Sequence, residues 1–97
     1  MNAVQLIEKI AKHEDMKKDE LIKESLIAYL LDKKRAYQEE KFQILSRYNI
    51  STAAELKKLI SSGKIIEHPT WEDLIEIKNI DKEIKKASDD LKSLQKN

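Results

Sequence analysis

The most restrictive feature of this sequence is that its strongest helix breakers are confined to one short stretch. The chain has one glycine, Gly63, and one proline, Pro69, and both lie in SSGKIIEHPTWEDLIEI, residues 61–77. Glycine and proline are the two residues most unfavourable inside a helix, so nothing elsewhere forces a helix to end. The same stretch holds the one tryptophan, Trp71. We therefore expect long helices on both sides of a chemically distinct junction.

Three helices are predicted before Gly63. A short first helix has its apolar face on Ile7 and Ile10, and a polar interruption at residues 12–18 follows it. The second helix runs over about residues 19–48, a length of roughly 40–45 Å. Asn49 suits the left-handed residue after that helix, and Gly63 suits the same position after the third. Residues 52–55 offer a capping box at the start of the third helix.

The last helix has the most regular apolar spacing. Thr70 with Asp73 is a further start signal, so this helix is predicted to begin at Trp71 or just before it. Its apolar residues recur at intervals of three and four, close to a coiled-coil seam. They are Leu74, Ile77, Ile80, Ile84, Ala87, Leu91 and Leu94. The seam can pack against the rest of its own domain, or part of it can pack against another chain. The predicted fold class is all-α, with about four helices, one long central helix and a C-terminal coiled-coil-like helix.

Composition and motifs argue against several classes of function. Nineteen bases and 18 acids give a net charge of +1, with no polybasic arm for nucleic acid or membrane. The chain has no cysteine, which fits a reducing cytoplasm, and no apolar run is long enough to span a bilayer. The two histidines, His13 and His68, lack metal-ligand spacing, and no nucleophile or phosphate-loop motif is present. We expect a cytoplasmic protein that is not an enzyme, with no catalytic, cofactor or metal site.

The junction itself carries a partner-binding hypothesis. After Lys64, residues 65–77 contain acids and no lysine or arginine. Tryptophan is favoured at the centre of protein interfaces, and acids around it would select a basic partner. The predicted partner-binding residues are Ile65, Ile66, Glu67, Trp71, Glu72, Asp73, Leu74, Glu76 and Ile77. The alternative is an ordinary helix junction in which Trp71 fills the core.

Residues 6–31, LIEKIAKHEDMKKDELIKESLIAYLL, resemble the two-helix part of ribbon-helix-helix proteins. Residues 6–11 match the short first helix, residues 19–22 match the entry to the second, and residues 25–30 match its dimer-forming run. The resemblance implies an intertwined homodimer, with residues 1–48 as the dimerisation module. Its implied core is Leu21, Ile22, Leu26, Tyr29 and Leu30. Only MNAVQ precedes the first helix, so the family's DNA-reading strand has no counterpart and DNA binding is doubtful.

Many ribbon-helix-helix relatives are antitoxins, in which a helical tail wraps and neutralises a small toxin. The resemblance therefore implies that residues 49–97 are a partner-binding tail for a small basic, ribonuclease-like toxin. The layout of the whole chain also resembles small archaeal helical proteins regarded as antitoxins. Two other classes stay open. One is a self-associating helical scaffold without a toxin partner, and the other is a DNA-binding repressor that shifts its own promoter DNA in a salt-dependent way.

Overall fold

The computed structural model describes residues 1–65 and 67–96, apart from the side chains of residues 67 and 68. These residues form four helices and no strand, which confirms the all-α fold with about four helices. The helices are α1 (Ala3–His13), α2 (Lys18–Ser46), α3 (Ala53–Ser61) and α4 (Glu67–Gln95).

The long central helix is confirmed as one uninterrupted element. α2 has 29 residues, which corresponds to about 43 Å. Asp19 and Glu20 lie in its first turn, where negative charge is favoured by the helix dipole. α1 packs against α2 and buries Ala11, and the Lys18 ammonium lies 3.3 Å from a Glu8 carboxylate oxygen.

The predicted left-handed residues after α2 and α3 are confirmed. Asn49 and Gly63 have φ angles of 57° and 72°, the left-handed conformation expected just after a helix. Thr52 is the N-cap of α3, and its hydroxyl accepts a hydrogen bond of 3.1 Å from the Glu55 amide. The Glu55 carboxylate accepts from the Ser51 amide at 3.4 Å instead of from the Thr52 amide, so the predicted capping box is half formed. A capping box at the start of α1, between Asn2 and Gln5, was not predicted.

The predicted start of the last helix was wrong by about one turn. α4 begins at Glu67, so Pro69 is its third residue and Thr70 lies inside the helix instead of capping it. Proline is tolerated there because first-turn amides have no acceptor within the helix. Thr70 is buried, with 3% of its surface exposed. Its hydroxyl hydrogen-bonds with the phenol of Tyr48, a contact across the fold that its sequence neighbourhood does not reveal.

α2 and α4 pack as an antiparallel pair, and the apolar seam of α4 faces the inside of this pair. Two ion pairs set the register, because Lys41 lies 2.8 Å from Asp81 and Arg47 lies 3.4 Å from Asp73. Five seam residues are buried, and Ile84 and Leu94 are half-buried. The buried ones are Leu74, Ile77, Ile80, Ala87 and Leu91. The seam therefore packs on the rest of its own chain.

The main core lies at one end of the molecule, where α3 closes over the α2–α4 pair. Its buried residues are Ile44, Leu45, Leu56, Leu74, Ile77 and Ile80. The predicted boundary between residues 48 and 49 falls in the turn before α3. Segments 1–48 and 49–97 nevertheless share this one core.

Candidate partner-binding surface

Trp71 lies on the outer side of the first turns of α4. It is 45% exposed, and Ile75, one turn further along, is 48% exposed. Residues four apart share a helix face, so the two form an apolar ridge. Glu72 and Glu76 are exposed beside it. We call Trp71, Glu72, Ile75 and Glu76 the Trp71 surface. The core does not enclose the tryptophan, so Trp71 is not a buried packing residue.

The inner side of the same turns belongs to the core. Leu74 and Ile77 were predicted to contact a partner, but they are 1% and 0% exposed. Their side chains pack with Leu45 and Leu56 in the core cluster. They support the Trp71 surface from beneath and offer a partner no surface of their own.

Asp73 was predicted to attract a basic partner, yet its carboxylate is bound within the chain. One oxygen accepts a hydrogen bond from the Tyr48 hydroxyl, and the other lies 3.4 Å from a guanidinium nitrogen of Arg47. The Asp73 side chain is 17% exposed. This carboxylate therefore joins α4 to the end of α2 and is not free to pair with a second protein.

The environment of Tyr48 reflects this contact. Burial raises the pKa of the phenol above its ordinary value of 10.0, and the hydrogen bond to Asp73 raises it further. The hydrogen bond with Thr70 and the positive charge of Arg47 oppose the shift. The net increase means that the neutral phenol is the form that the folded chain stabilises.

The acidic character of this region ends after one further turn of α4. Glu76 lines a shallow groove with Tyr37 and Asn79, and the same groove continues to Lys82 and Lys86. The charge next to Trp71 is thus negative, whereas the charge further along α4 is mixed. Any electrostatic preference for a basic partner is confined to the first turns.

The remaining predicted contact residues lie before the helix or at its start. Ile65 is half-buried and packs against the core. Glu67 is the first residue of α4. Ile66 and the side chain of Glu67 lie outside the described part of the structure, so their predicted roles stay predictions.

The residues predicted to form a dimer core lie at the other end of α2. Leu21, Ile22 and Leu30 are half-buried, while Leu26 and Tyr29 are 45% and 58% exposed. Ile22, Leu26 and Tyr29 follow the i, i+4, i+7 spacing of one helix face. A single chain leaves this face incompletely covered.

Sequence reasoning missed several exposed apolar residues. Ile75 was not included with Trp71, although its spacing of four residues places it on the same face. The apolar side chains of α1 were also left out, and Val4, Leu6 and Ile10 are 55%, 44% and 38% exposed. Their helical periodicity was visible in the sequence, but periodicity alone does not tell a buried face from an exposed one.

The described residues hold neither a cluster of metal ligands nor a helix that could cross a membrane. No group of three or more histidine, cysteine, aspartate or glutamate side chains among them is arranged to hold a metal ion. None of the helices in residues 1–65 and 67–96 combines the length and the apolar character needed to cross a membrane.

Comparison with known proteins gives a family and nothing beyond it. No curated protein and no solved structure matches the chain. One family model matches residues 1–97, so the match extends over all 97 residues. On that match, the chain belongs to the uncharacterized protein MJ0235 family.

Proposed function

We propose that this chain is a non-enzymatic interaction protein that binds a small basic protein through the Trp71 surface. The exposure of Trp71 carries this proposal, because the core beneath it is complete without the indole. Leaving a tryptophan half in water forfeits burial of its large apolar area. Burial against a second protein would recover that contribution, and tryptophan is among the commonest anchors of protein interfaces.

The charges beside Trp71 support a basic partner. Glu72 and Glu76 flank the apolar ridge, and acidic groups at an interface rim raise the association rate with cationic proteins and disfavour anionic ones. The resemblance of residues 6–31 to ribbon-helix-helix antitoxins makes a ribonuclease-like toxin in the cytoplasm the first partner class to test. Neutralisation would then follow if the bound chain covered the cationic site of the toxin.

The test is a capture experiment with three forms of the tagged full-length chain in its native host. The wild type and Phe42→Ala should recover the same basic protein at a fixed ratio, because Phe42 is 70% exposed but outside the Trp71 surface. Trp71→Ala should lose at least tenfold in affinity for that protein once it is purified. The Trp71→Ala chain should keep a melting temperature close to that of the wild type, since Trp71 is outside the core.

Two further measurements separate the toxin hypothesis from binding in general. The recovered protein, expressed alone, should arrest growth, and co-expression of the wild-type chain should restore it while Trp71→Ala should not. Binding should also weaken with added salt. Equal binding by Trp71→Ala and the wild type would exclude the proposed surface, as would a recovered partner that is acidic.

A second candidate function is a self-associating helical scaffold without a toxin partner. The elongated shape of the chain favours it, with extents of 61 × 28 × 18 Å. Light scattering on the purified chain distinguishes the two functions. A series of growing oligomers would favour the scaffold, whereas one discrete species would favour the binding protein.

A further inference from the structure

The folded chain exposes far more surface than a compact domain of its mass. Its accessible surface is 7507 Å², whereas a folded monomer of 11.3 kDa is expected to expose about 5,700 Å². Its radius of gyration is 19.5 Å, against about 12–13 Å for a globular domain of this length. The elongated two-helix shape accounts for this excess of accessible surface. The apolar part of that surface is the part that favours association with another chain.

Exposed apolar side chains collect at the end of the rod that is remote from the core, where α1, the start of α2 and the end of α4 lie. Leu26, Tyr29 and Leu30 of α2 line a groove with Leu94 of α4. α1 adds three exposed apolar side chains at this end. We call the following residues the N-terminal apolar surface: Val4, Leu6, Ile10, Leu26, Tyr29 and Leu94.

The chain itself covers this surface poorly. α1 is amphipathic, and its packing against α2 buries Ala11 alone among its residues. On α2, Ile22 is half-buried. Leu26, one turn further along the same face, and Tyr29, two turns further, are exposed. Leu6 and Ile10 share one face of α1, as Leu26 and Tyr29 share one face of α2. Each helix thus exposes an apolar stripe, and exposed apolar area of this kind usually marks an interaction site.

We propose that a second copy of this chain covers the N-terminal apolar surface and forms a two-fold symmetric dimer. Complete burial of the five exposed members, which are 38% to 58% exposed, would remove on the order of 450 Å² per chain and about 900 Å² from two copies. Because about 60% of a typical interface is apolar, the whole interface would be about 1,500 Å². That area is within the range of about 1,200–2,000 Å² for stable specific interfaces.

The charge around this surface fits a second copy better than a strongly charged partner. Residues 1–50 hold ten bases and nine acids, and the rim mixes the two signs, as with Glu8 and Lys18 or Asp90 beside the groove. In a two-fold interface each patch meets its own copy, so a one-sign rim would repel itself. A mixed rim allows acids of one copy to meet bases of the other.

The dimer would display two Trp71 surfaces. Trp71 and Leu94 are 23 positions apart on α4, which corresponds to about 35 Å along the helix. A dimer joined at the N-terminal apolar surface would leave both Trp71 surfaces free at its far ends. This bivalency rests on the partner-binding function proposed above, whereas dimerisation does not depend on it.

The first test is the mass of the full chain by light scattering, with matched variants. The wild type should have twice the 11.3 kDa mass of one chain, and Leu6→Glu and Leu26→Glu should weaken dimerisation at least tenfold. The control Phe42→Glu also places a charge on an exposed apolar site, about 24 Å from Leu26 along α2, and should stay dimeric. Far-UV circular dichroism should show unchanged helix content in all of them.

The second test does not require a destabilising substitution. The chain has no cysteine, so Glu24→Cys and Lys58→Cys each introduce a unique site for a spin label, near the proposed interface and on α3 respectively. Distances between the two labels of a dimer should be shorter for position 24 than for position 58. The opposite order would overturn the proposal by placing the interface at the core end.

A wild-type chain that stays monomeric at its highest soluble concentration would also overturn the proposal. This holds even if a different protein is found to cover the N-terminal apolar surface. Each failure can be told apart from failure of the partner-binding function. A monomer that still captures a basic protein through Trp71 would exclude the dimer alone. A dimer whose Trp71→Ala variant behaves as the wild type in capture would exclude the partner site alone.

Discussion

The hydroxyl of Tyr48 donates a hydrogen bond to the carboxylate of Asp73, and this bond joins the turn after α2 to the second turn of α4. Tyr48→Phe removes the bond but leaves Asp73 beside Arg47 at 3.4 Å. We expect a loss of about 1–2 kcal/mol in the free energy of unfolding, because the bond involves a charged acceptor in a partly buried site. Urea denaturation at neutral pH measures it.

The control for this substitution is Tyr29→Phe, which removes a hydroxyl from a side chain that is 58% exposed. It should change the free energy of unfolding by less than about 0.5 kcal/mol. Equal effects of the two substitutions would show that the Tyr48–Asp73 bond contributes nothing specific.

The raised pKa of Tyr48 predicts a dependence of stability on alkaline pH. Its folded pKa lies above the unfolded value of 10.0, so its contribution is complete below pH 10.0 and is lost as the pH rises through the folded pKa. The free energy of unfolding should therefore decline more steeply above pH 10.0 in the wild type than in Tyr48→Phe. A denaturation series measures both slopes. Parallel curves for the wild type and Tyr48→Phe would contradict the assignment to Tyr48.

The ion pair between Lys41 and Asp81 should contribute modestly to the packing of α2 on α4. The atoms lie 2.8 Å apart, with 29% and 42% of the two side chains exposed. A double-mutant cycle with Lys41→Met and Asp81→Asn should give a coupling energy of up to about 1 kcal/mol, which declines with salt. A second cycle on Lys85 and Asp89, an exposed pair within α4, supplies the comparison. The Lys85–Asp89 cycle should give the smaller coupling energy because those side chains are more exposed. A larger coupling energy there would contradict this expectation.

Because Leu56 of α3 lies in the core, Leu56→Ala should strongly lower the free energy of unfolding. Leu56 is fully buried, at 0% exposed, between α2 and α4. Its truncation should cost about 2–5 kcal/mol, because transfer free energy is lost and a cavity is left. Leu31→Ala, at a site 45% exposed on α2, should cost less than about 1 kcal/mol. Thermal unfolding of the two variants makes the comparison, and similar melting temperatures would mean that α3 is not docked in solution.

The shared core predicts that residues 1–48 do not fold as an independent unit. Ile44 and Leu45 are 3% exposed in the whole chain and belong to a cluster completed by α3 and α4. Without those helices the second half of α2 would expose its apolar face. We expect the fragment to lose cooperative thermal unfolding, as followed by circular dichroism. A sharp transition in the fragment would instead support a separate module.

Some of this fold was predictable because the relevant chemistry is local. The length of α2 follows from the absence of glycine and proline between residues 18 and 46, and the left-handed Asn49 and Gly63 follow from their own backbone preferences. The predicted start of α4 was wrong because Thr70 and Asp73 match an N-cap pattern but do not cap the helix. Both side chains hydrogen-bond with Tyr48, more than twenty residues away.

The sequence by itself determined which segments are helical, where most of them end and that α4 carries one regular apolar seam. Helix formation and capping depend on residues within about four positions of one another. Only the tertiary structure decided that Leu74 and Ile77 lie in the core while Trp71 and Ile75 stay exposed. That choice depends on where α2 and α3 cover α4, and those contacts join residues far apart in the chain. The same reason explains the capture of Asp73 by Tyr48 and Arg47, although its charge looked available beside Trp71.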